Sequence, residues 1–261
     1  MISRPDTPFV KEVISGLDTK IVGKDLHYFE TINSTNLFAK KLAKEGAEEG
    51  VVVVADVQSS GRGRKNRTWS SPKGGLWFST VLYPKISPQR GMLITMASSI
   101  AVAQGIKEIT GINPVIKWPN DLSINGKKVC GILTEIDAEI DSINYTVVGI
   151  GINVNNELEK ELQKTATTLK QEIGTQVPKV ELLKSIIKSF DENYNRLILG
   201  DYDFIRDSWL SYSNIIGKKI KVQDEETVTT GKVTDIDDSG CLILNTKNGN
   251  VRIVSGDVKY L

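Results

Sequence analysis

The chain has 261 residues, with 33 basic and 32 acidic side chains, one histidine and two cysteines. That length can bury one large domain and a small one without disulfides or metals, and a net charge of +1 supplies no global field to draw the chain onto nucleic acid or lipid. No apolar run approaches the ~20 residues of a membrane helix, and the N-terminal stretch lacks the basic flank and apolar core of a secretory signal; the expectation is a cytoplasmic protein without a membrane partner.

His27 to Ile32 reads as a strand, and residues 33–36 offer a cluster of helix N-cap side chains before a helix over Leu37–Lys44 that Gly46 stops. The β-branched run Val51–Val57 fits a strand covered on both faces. Residues 58–75 break every regular pattern; a strand follows over Leu76–Tyr83, and after Pro88 a long helix runs to Gly111 with Leu93, Met96, Ile100, Ala103 and Ile106 on one stripe. Val115–Trp118, Leu122–Ile124 and Lys128–Ile136 read as strands, with Asn125-Gly126 as a two-residue hairpin turn, and Tyr145–Val154 adds another. Residues 179–212 are helical by spacing, and from Ile216 short strands and polar turns suggest a small β-barrel of ~45–50 residues that must dock on the body.

Cys130 and Cys241 have no neighbouring metal-ligand spacing and read as buried small apolar residues. His27 opens a strand, where a packed or surface role outweighs a catalytic one. Chemistry is therefore expected from lysine, arginine and backbone donors.

Residues 58–69 carry most of the signal. Gly61 and Gly63 allow backbone N–H groups to approach an anion, and Arg62, Arg64, Lys65 and Arg67 concentrate four cations in six residues. Such a loop suits a polyphosphate; a mobile solvated loop is the alternative, disfavoured because the cations repel one another unless an anion is bound. Lys117 leaves a strand beside Pro119, which suits either an electrostatic catalyst or an ordinary edge turn. The strand glycines Gly131, Gly149 and Gly151 mark a close approach of backbone or ligand.

In order, Ser34-Thr35-Asn36, Gly61-Arg62-Gly63-Arg64, Lys117-Trp118-Pro119-Asn120-Asp121, Gly131-Ile132-Leu133 with Glu135, and Gly149-Ile150-Gly151-Ile152-Asn153 resemble the motif set of biotin protein ligases. The resemblance implies an α/β (α+β) catalytic domain of the class II aminoacyl-tRNA synthetase type over 27–213, an SH3-like barrel over 214–261, and an N-terminal segment, 1–26, too short for the DNA-binding module of some relatives. A monofunctional ligase without a DNA partner is expected, acting on ATP and biotin with Mg²⁺; its partner would be a biotin carboxyl carrier domain, and a homodimer is one assembly the resemblance allows.

Carried over by position, Lys117, Arg62 and Arg64 would be catalytic. Ser34, Thr35, Asn36, Gln58, Gly61, Gly149 and Gly151, with those three, would bind biotin. Arg67, Trp69, Asn120, Lys128 and Asn153, with Arg64, would bind the adenylate, and Asp121 would hold Mg²⁺. Trp69 and Trp118 suit either a site wall or core packing, and the Val51–Val57 strand is expected to supply the slot for the valeryl chain. Asn66 stands where the family loop usually has glycine, a position asparagine tolerates through its access to positive φ. The nearest rival is a lipoate or octanoate ligase of the same fold; an RNA-binding module is disfavoured by the neutral net charge.

Overall fold

The computed structural model describes residues 7–224 and 227–261; residues 1–6, the start of the expected N-terminal segment, lie outside the described residues. Helix α1, Pro8–Ile14, was not foreseen in the sequence: Thr7 caps it by accepting from the Val10 N–H at 3.2 Å, and it buries only Val10 and Val13. So short a stripe leaves little periodic signal.

The body is a seven-stranded sheet in the order β1 (Leu26–Ile32), β2 (Val52–Gln58), β3 (Leu76–Leu82), β7 (Ile143–Ile152), β6 (Lys127–Ala138), β5 (Asp121–Ile124) and β4 (Val115–Lys117). β1 and β2 are parallel; the remaining pairs are antiparallel. The β-branched run of β2 is covered on both sides as expected, Val52 and Val54 packing in the main core and Val53 and Ala55 under α2, Thr35–Lys44. α2 rests on β2, β3 and β7, which carries its first turn over the middle of the sheet.

On the other face lie α3 (Gly91–Thr110), α5 (Lys179–Ile198) and α6 (Tyr202–Ser211), with the short α4 (Leu169–Ile173) leading into them. The helix expected over 179–212 is divided because Gly200 takes a φ of +87°, which ends α5 and lets α6 turn back. Contrary to the expectation that no apolar run is long enough, Pro88–Thr110 could cross a membrane by length and composition. Its residues from Leu93 to Ala103 are all buried, packed against α5 and the sheet, which is what a core helix requires. Gly105 sets the closeness of that contact, since a Cβ there would lie 2.5 Å from Ile186 Cγ1 on α5.

Strands β8 (Lys219–Gln223), β9 (Val228–Ile236), β10 (Leu242–Thr246), β11 (Gly249–Ile253) and β12 (Asp257–Tyr260) form a separate antiparallel sheet in the order β11-β10-β9-β8-β12. It docks on the body through buried contacts. Trp118 Nε1 donates to the Gly240 carbonyl at 3.1 Å, so Trp118 packs between sheet and body rather than walling a site.

The chain entering β1 is tied to α5 by a buried carboxylate. Asp191 Oδ1 accepts from the N–H groups of Ile21 (2.7 Å) and Val22 (2.8 Å), and Oδ2 accepts from Lys20 (2.8 Å). Asp191→Ala leaves these donors without a partner, and about 2–3 kcal/mol of stability is expected to be lost, read as a lower urea midpoint at unchanged slope. A loss below about 1 kcal/mol would show that water replaces the carboxylate at no cost.

Candidate functional site

A cavity of about 330 Å³ opens between the first turn of α2, the middle of β3, β7 and β6, the loop after β2 and the segment following β7. One end is a continuous polar chain. Ser34 is the N-cap of α2, its Oγ accepting from the Leu37 N–H at 3.5 Å, which fixes the next two side chains over the sheet. Gln58, at the end of β2, accepts through Oε1 from the Thr35 N–H (2.8 Å) and hydroxyl (3.1 Å) and donates through Nε2 to Ser71 Oγ at 2.8 Å. Ser79 Oγ lies 2.7 Å from Thr35 Oγ1 and 2.6 Å from Asn36 Oδ1. Asn36 Nδ2 in turn donates to Glu135 Oε2 at 2.9 Å.

Glu135 terminates this chain. It also receives Lys40 Nζ at 2.6 Å and faces Arg62 Nη1 at 3.5 Å. Burial alone would raise its carboxyl, but the hydrogen bonds from Lys40 and Asn36 and the charges of Lys40 and Arg62 outweigh burial and leave it below its ordinary value. As an ionised carboxylate it can only accept, so the Asn36 NH₂ must face it and the Asn36 carbonyl must face Ser79.

The strand glycines make room for two side chains. A Cβ at Gly149 would overlap the Asn36 amide; one at Gly131 would sit 2.8 Å from Trp69 Cζ3, and one at Gly151 would sit 2.5 Å from Trp69 Nε1. Gly149 and Gly151 line the cavity as expected, and their further effect is to let Asn36 and Trp69 lie flat on the sheet.

The arginine loop is folded back on itself, the Gly63 N–H donating to Arg67 O (2.7 Å) and the Trp69 N–H to Gly61 O (2.9 Å). Lys65 and Asn66 take φ of +54° and +57°, so asparagine fills the usual glycine position in the left-handed conformation anticipated for it. Carboxylates of the chain itself offset the expected mutual repulsion. Arg62 faces Glu135, Lys65 lies 3.6 Å from Asp257, and Arg67 donates to the Asp257 carboxylate. Burial would raise the Asp257 carboxyl, but Arg67, Lys65 and Arg64 hold it below its ordinary value. Arg64 donates to Asn120 Oδ1 at 2.9 Å and to Gly256 O at 3.4 Å; burial lowers its pKa, against the opposing pull of Asp257 and Asp121.

Lys117 is not brought to this cavity. It lies on β4, the outermost strand, where Nζ donates to Gly126 O at 3.5 Å and sits 5.8 Å from the Tyr260 ring. Lys128 lines the cavity instead, Nζ 2.7 Å from Asp121 Oδ1 and 5.1 Å from the Trp69 ring. Gly61 is also absent from the lining; a Cβ there would run into the Trp69 carbonyl, so it serves the loop's closure. The other sequence-predicted residues line the cavity: Ser34, Thr35, Asn36, Gln58, Arg62 and Arg64 from the α2 and loop side, and Arg67, Trp69, Asn120, Asp121 and Asn153 around the other end.

β2 contributes only Gln58; the apolar lining comes from Phe78, Ile132, Leu133, Ile150, Leu158 and Leu162, which corrects the expected valeryl slot. Sequence reading also missed Ser79 and Ser71, ordinary strand and loop serines by pattern, and the wall from Asn156 to Ala166, which has no regular spacing. That wall is held by the Lys128 N–H donating to Thr165 O at 2.8 Å and by Ser70 Oγ donating to Glu159 at 2.8 Å.

Comparison with known proteins matches both parts of the chain to one family. A model described as the biotin/lipoate A/B protein ligase family matches residues 28–153, and one for the biotin protein ligase C terminal domain matches 215–259. The bifunctional ligase/repressor BirA of Bacillus subtilis (strain 168) is 39% identical over 99% of this chain and 81% of its own length. The biotin–[acetyl-CoA-carboxylase] ligase of Paracoccus denitrificans is 31% identical over 87% of this chain and 97% of its own. The structure of the biotin protein ligase from Aquifex aeolicus in complex with biotin and ATP superposes with a TM-score of 0.78 at 30% identity, covering 91% of this chain and 99% of that one.

The packing of Trp69 on Gly151 can be tested directly. Gly151→Ala is expected to push the indole off the sheet, costing about 1–3 kcal/mol as an overpacked contact. The readouts are urea unfolding and the near-ultraviolet circular dichroism of the tryptophans; an unchanged spectrum at parental stability would show that Trp69 does not depend on that glycine.

Proposed function

The chain belongs to the biotin protein ligase family, and we propose that the cavity just described is where it activates biotin and from which biotin is passed to its acceptor. The catalytic domain has the class II aminoacyl-tRNA synthetase-like fold and the C-terminal sheet is the SH3-like domain. The enzyme is an ATP-dependent ligase: it forms biotinyl-5'-AMP from biotin and ATP and transfers biotin to a lysine of a carboxylase carrier domain.

The observation that carries the site assignment is the division of one cavity into a neutral hydrogen-bonding end, an apolar middle and a cationic end. The ureido ring needs both donors and acceptors, which the side chains of Ser34, Thr35, Asn36 and Gln58 provide. The valeryl chain needs apolar contact, provided by Phe78, Leu133 and Ile150. The carboxylate then lies toward Arg62, Arg64 and Lys128, with Asn120, Asn153 and Trp69 left for the nucleotide. A saturated acyl chain such as lipoate or octanoate would leave the polar end unpaired, at a cost, so this lining favours biotin.

In the first step a biotin carboxylate oxygen attacks the α-phosphorus of ATP; the new P–O bond replaces the bond to pyrophosphate, which departs with its electron pair. In the second step a neutral carrier lysine attacks the anhydride carbonyl, an amide forms, AMP leaves and the ammonium proton passes to solvent. Charge builds on phosphoryl oxygen and then on the acyl oxygen, and Lys128 and the loop arginines stand ready to neutralise it without a protein nucleophile. Asp121, on the cavity lining with its Oδ1 2.7 Å from Lys128 Nζ, is the carboxylate that would meet the Mg²⁺ accompanying ATP, since such ions take one or two protein carboxylates beside the phosphates, whose charge they shield.

The position of the two lysines makes opposite forecasts. Lys128→Ala is expected to lower biotin-dependent pyrophosphate exchange by about 10²–10³, the loss typical of a single electrostatic donor, whereas Lys117→Ala should retain most of it. The reverse result would return the central role to Lys117.

Arg64 anchors the loop to Asn120 and Gly256 from within the cavity wall, so Arg64→Gly should form biotinyl-AMP but release it. Loss of a charge-assisted contact worth roughly 1.5–3 kcal/mol shortens residence by about ten- to more than a hundredfold. The check is labelling of an unrelated lysine-rich protein in trans; normal adenylate formation with no more labelling than the parent gives would remove Arg64 as a retaining contact.

A further inference from the structure

On the outer face of the C-terminal sheet, lysines stand opposite lysines. Lys259 of β12 pairs with Lys221 of β8, and Lys219 of β8 pairs with Lys232 of β9. Lys219, Lys232 and Lys259 are exposed and Lys221 is partly so. Cross-strand partners share a face with Cβ atoms roughly 4.5–5.5 Å apart, where like charges destabilise the pair. Acidic side chains on that sheet could have relieved the repulsion, yet among the described residues none of these four ammonium groups has an ion-pair or hydrogen-bond partner.

The position of the stripe matters as much as its charge. Asp257 lies two residues before Lys259 on β12, so the two side chains project from the same face, and Asp257 lines the cavity where it holds Lys65 and Arg67. The stripe therefore begins at the mouth of the cavity and runs away from it across three strands. The segment after β7 brings the other sign: Glu157 and Glu159 line the cavity and are exposed. A flat array spread over strands about 4.8 Å apart cannot enclose a small anion, but it matches a macromolecular face.

We propose that this lysine stripe is the docking surface for the carrier domain, received through an acidic face beside its acceptor lysine; the proposal rests on the ligase reading above. The lysine stripe and the two glutamates together orient the partner. The carboxylates of the carrier sit on Lys219, Lys221, Lys232 and Lys259 while its single ammonium side chain enters along Glu157 and Glu159. A nucleic acid would meet the same stripe but be repelled by Glu157 and Glu159, and the net charge of +1 adds no general attraction for it.

The test uses the full chain, the purified apo carrier domain of an acetyl-CoA carboxylase, and hydroxylamine as a small acceptor that needs no docking. In the double variants Lys221→Glu with Lys259→Glu, and Lys219→Glu with Lys232→Glu, pyrophosphate exchange and hydroxamate formation should stay at the parental level. The KM for the carrier should rise about tenfold with kcat little changed, and its dependence on salt should flatten, as expected when rim charges that steer encounter are removed. The corresponding Lys→Gln pairs should show a smaller shift in the same direction. An unchanged carrier KM overturns the proposal, as does a rise that salt leaves untouched. Oligonucleotide binding that the variants lose while the carrier KM does not move assigns the stripe to nucleic acid and also overturns it. Absence of biotin-dependent pyrophosphate exchange in the parent enzyme defeats the ligase reading itself, and the proposal with it.

Discussion

Four like charges between Arg62 and Arg67 cannot share one short loop unless carboxylates meet them, and the protein supplies two. Glu135 comes from the middle of the catalytic sheet and Asp257 from the last strand of the C-terminal sheet. Together they hold the loop against the cavity, so an incoming carboxylate or phosphate competes for cations that carboxylates of the chain already face. The arrangement also joins the small domain to the cavity: Gly256 accepts from Arg64, and Asp257 accepts from Arg67 and faces Lys65.

Glu135 links this electrostatic clamp to the neutral polar end of the cavity. Its charge orients Asn36, Asn36 orients Ser79, and the sequence of contacts continues through Thr35 and Gln58 to Ser71. A buried polar chain with one obligate acceptor at its end has few alternative hydrogen-bond patterns, so its donors and acceptors are presented in one fixed arrangement. The cost of burying so many polar groups is contained because nearly all are paired. Trp69 Nε1 is an exception on the cavity wall, a buried donor with no partner.

The surrounding fold serves this geometry in simple ways. The long α3 supplies an apolar platform on one face of the sheet, leaving the other face free for α2 and the cavity. Glycines at 131, 149 and 151 reduce side-chain bulk in the centre of that sheet, and the space is taken by an indole and an amide instead. Trp118, at the end of β4, fixes the SH3-like domain through Gly240, so Asp257 is held within reach of the loop.

Much of this was legible in the sequence because it is local. Period and turn chemistry marked the strands, α2 with its cap, the hairpin at Asn125-Gly126 and the change to short strands after Ile216, and the ordered motifs pointed to the family. Local rules could not choose between Lys117 and Lys128, since both sit at strand ends in one run of hairpins. Sheet order decides: β4 is the edge strand and β6 runs through the middle, so only Lys128 reaches the cavity. Nor could the sequence show what neutralises the loop, because the Arg67–Asp257 pair spans 190 residues and Asn36–Glu135 spans 99. Residue types and their neighbours determined which groups were available for chemistry; only the tertiary structure, by bringing charges distant in sequence within a few ångströms, where Coulomb attraction is not yet screened away, decided which of them act together.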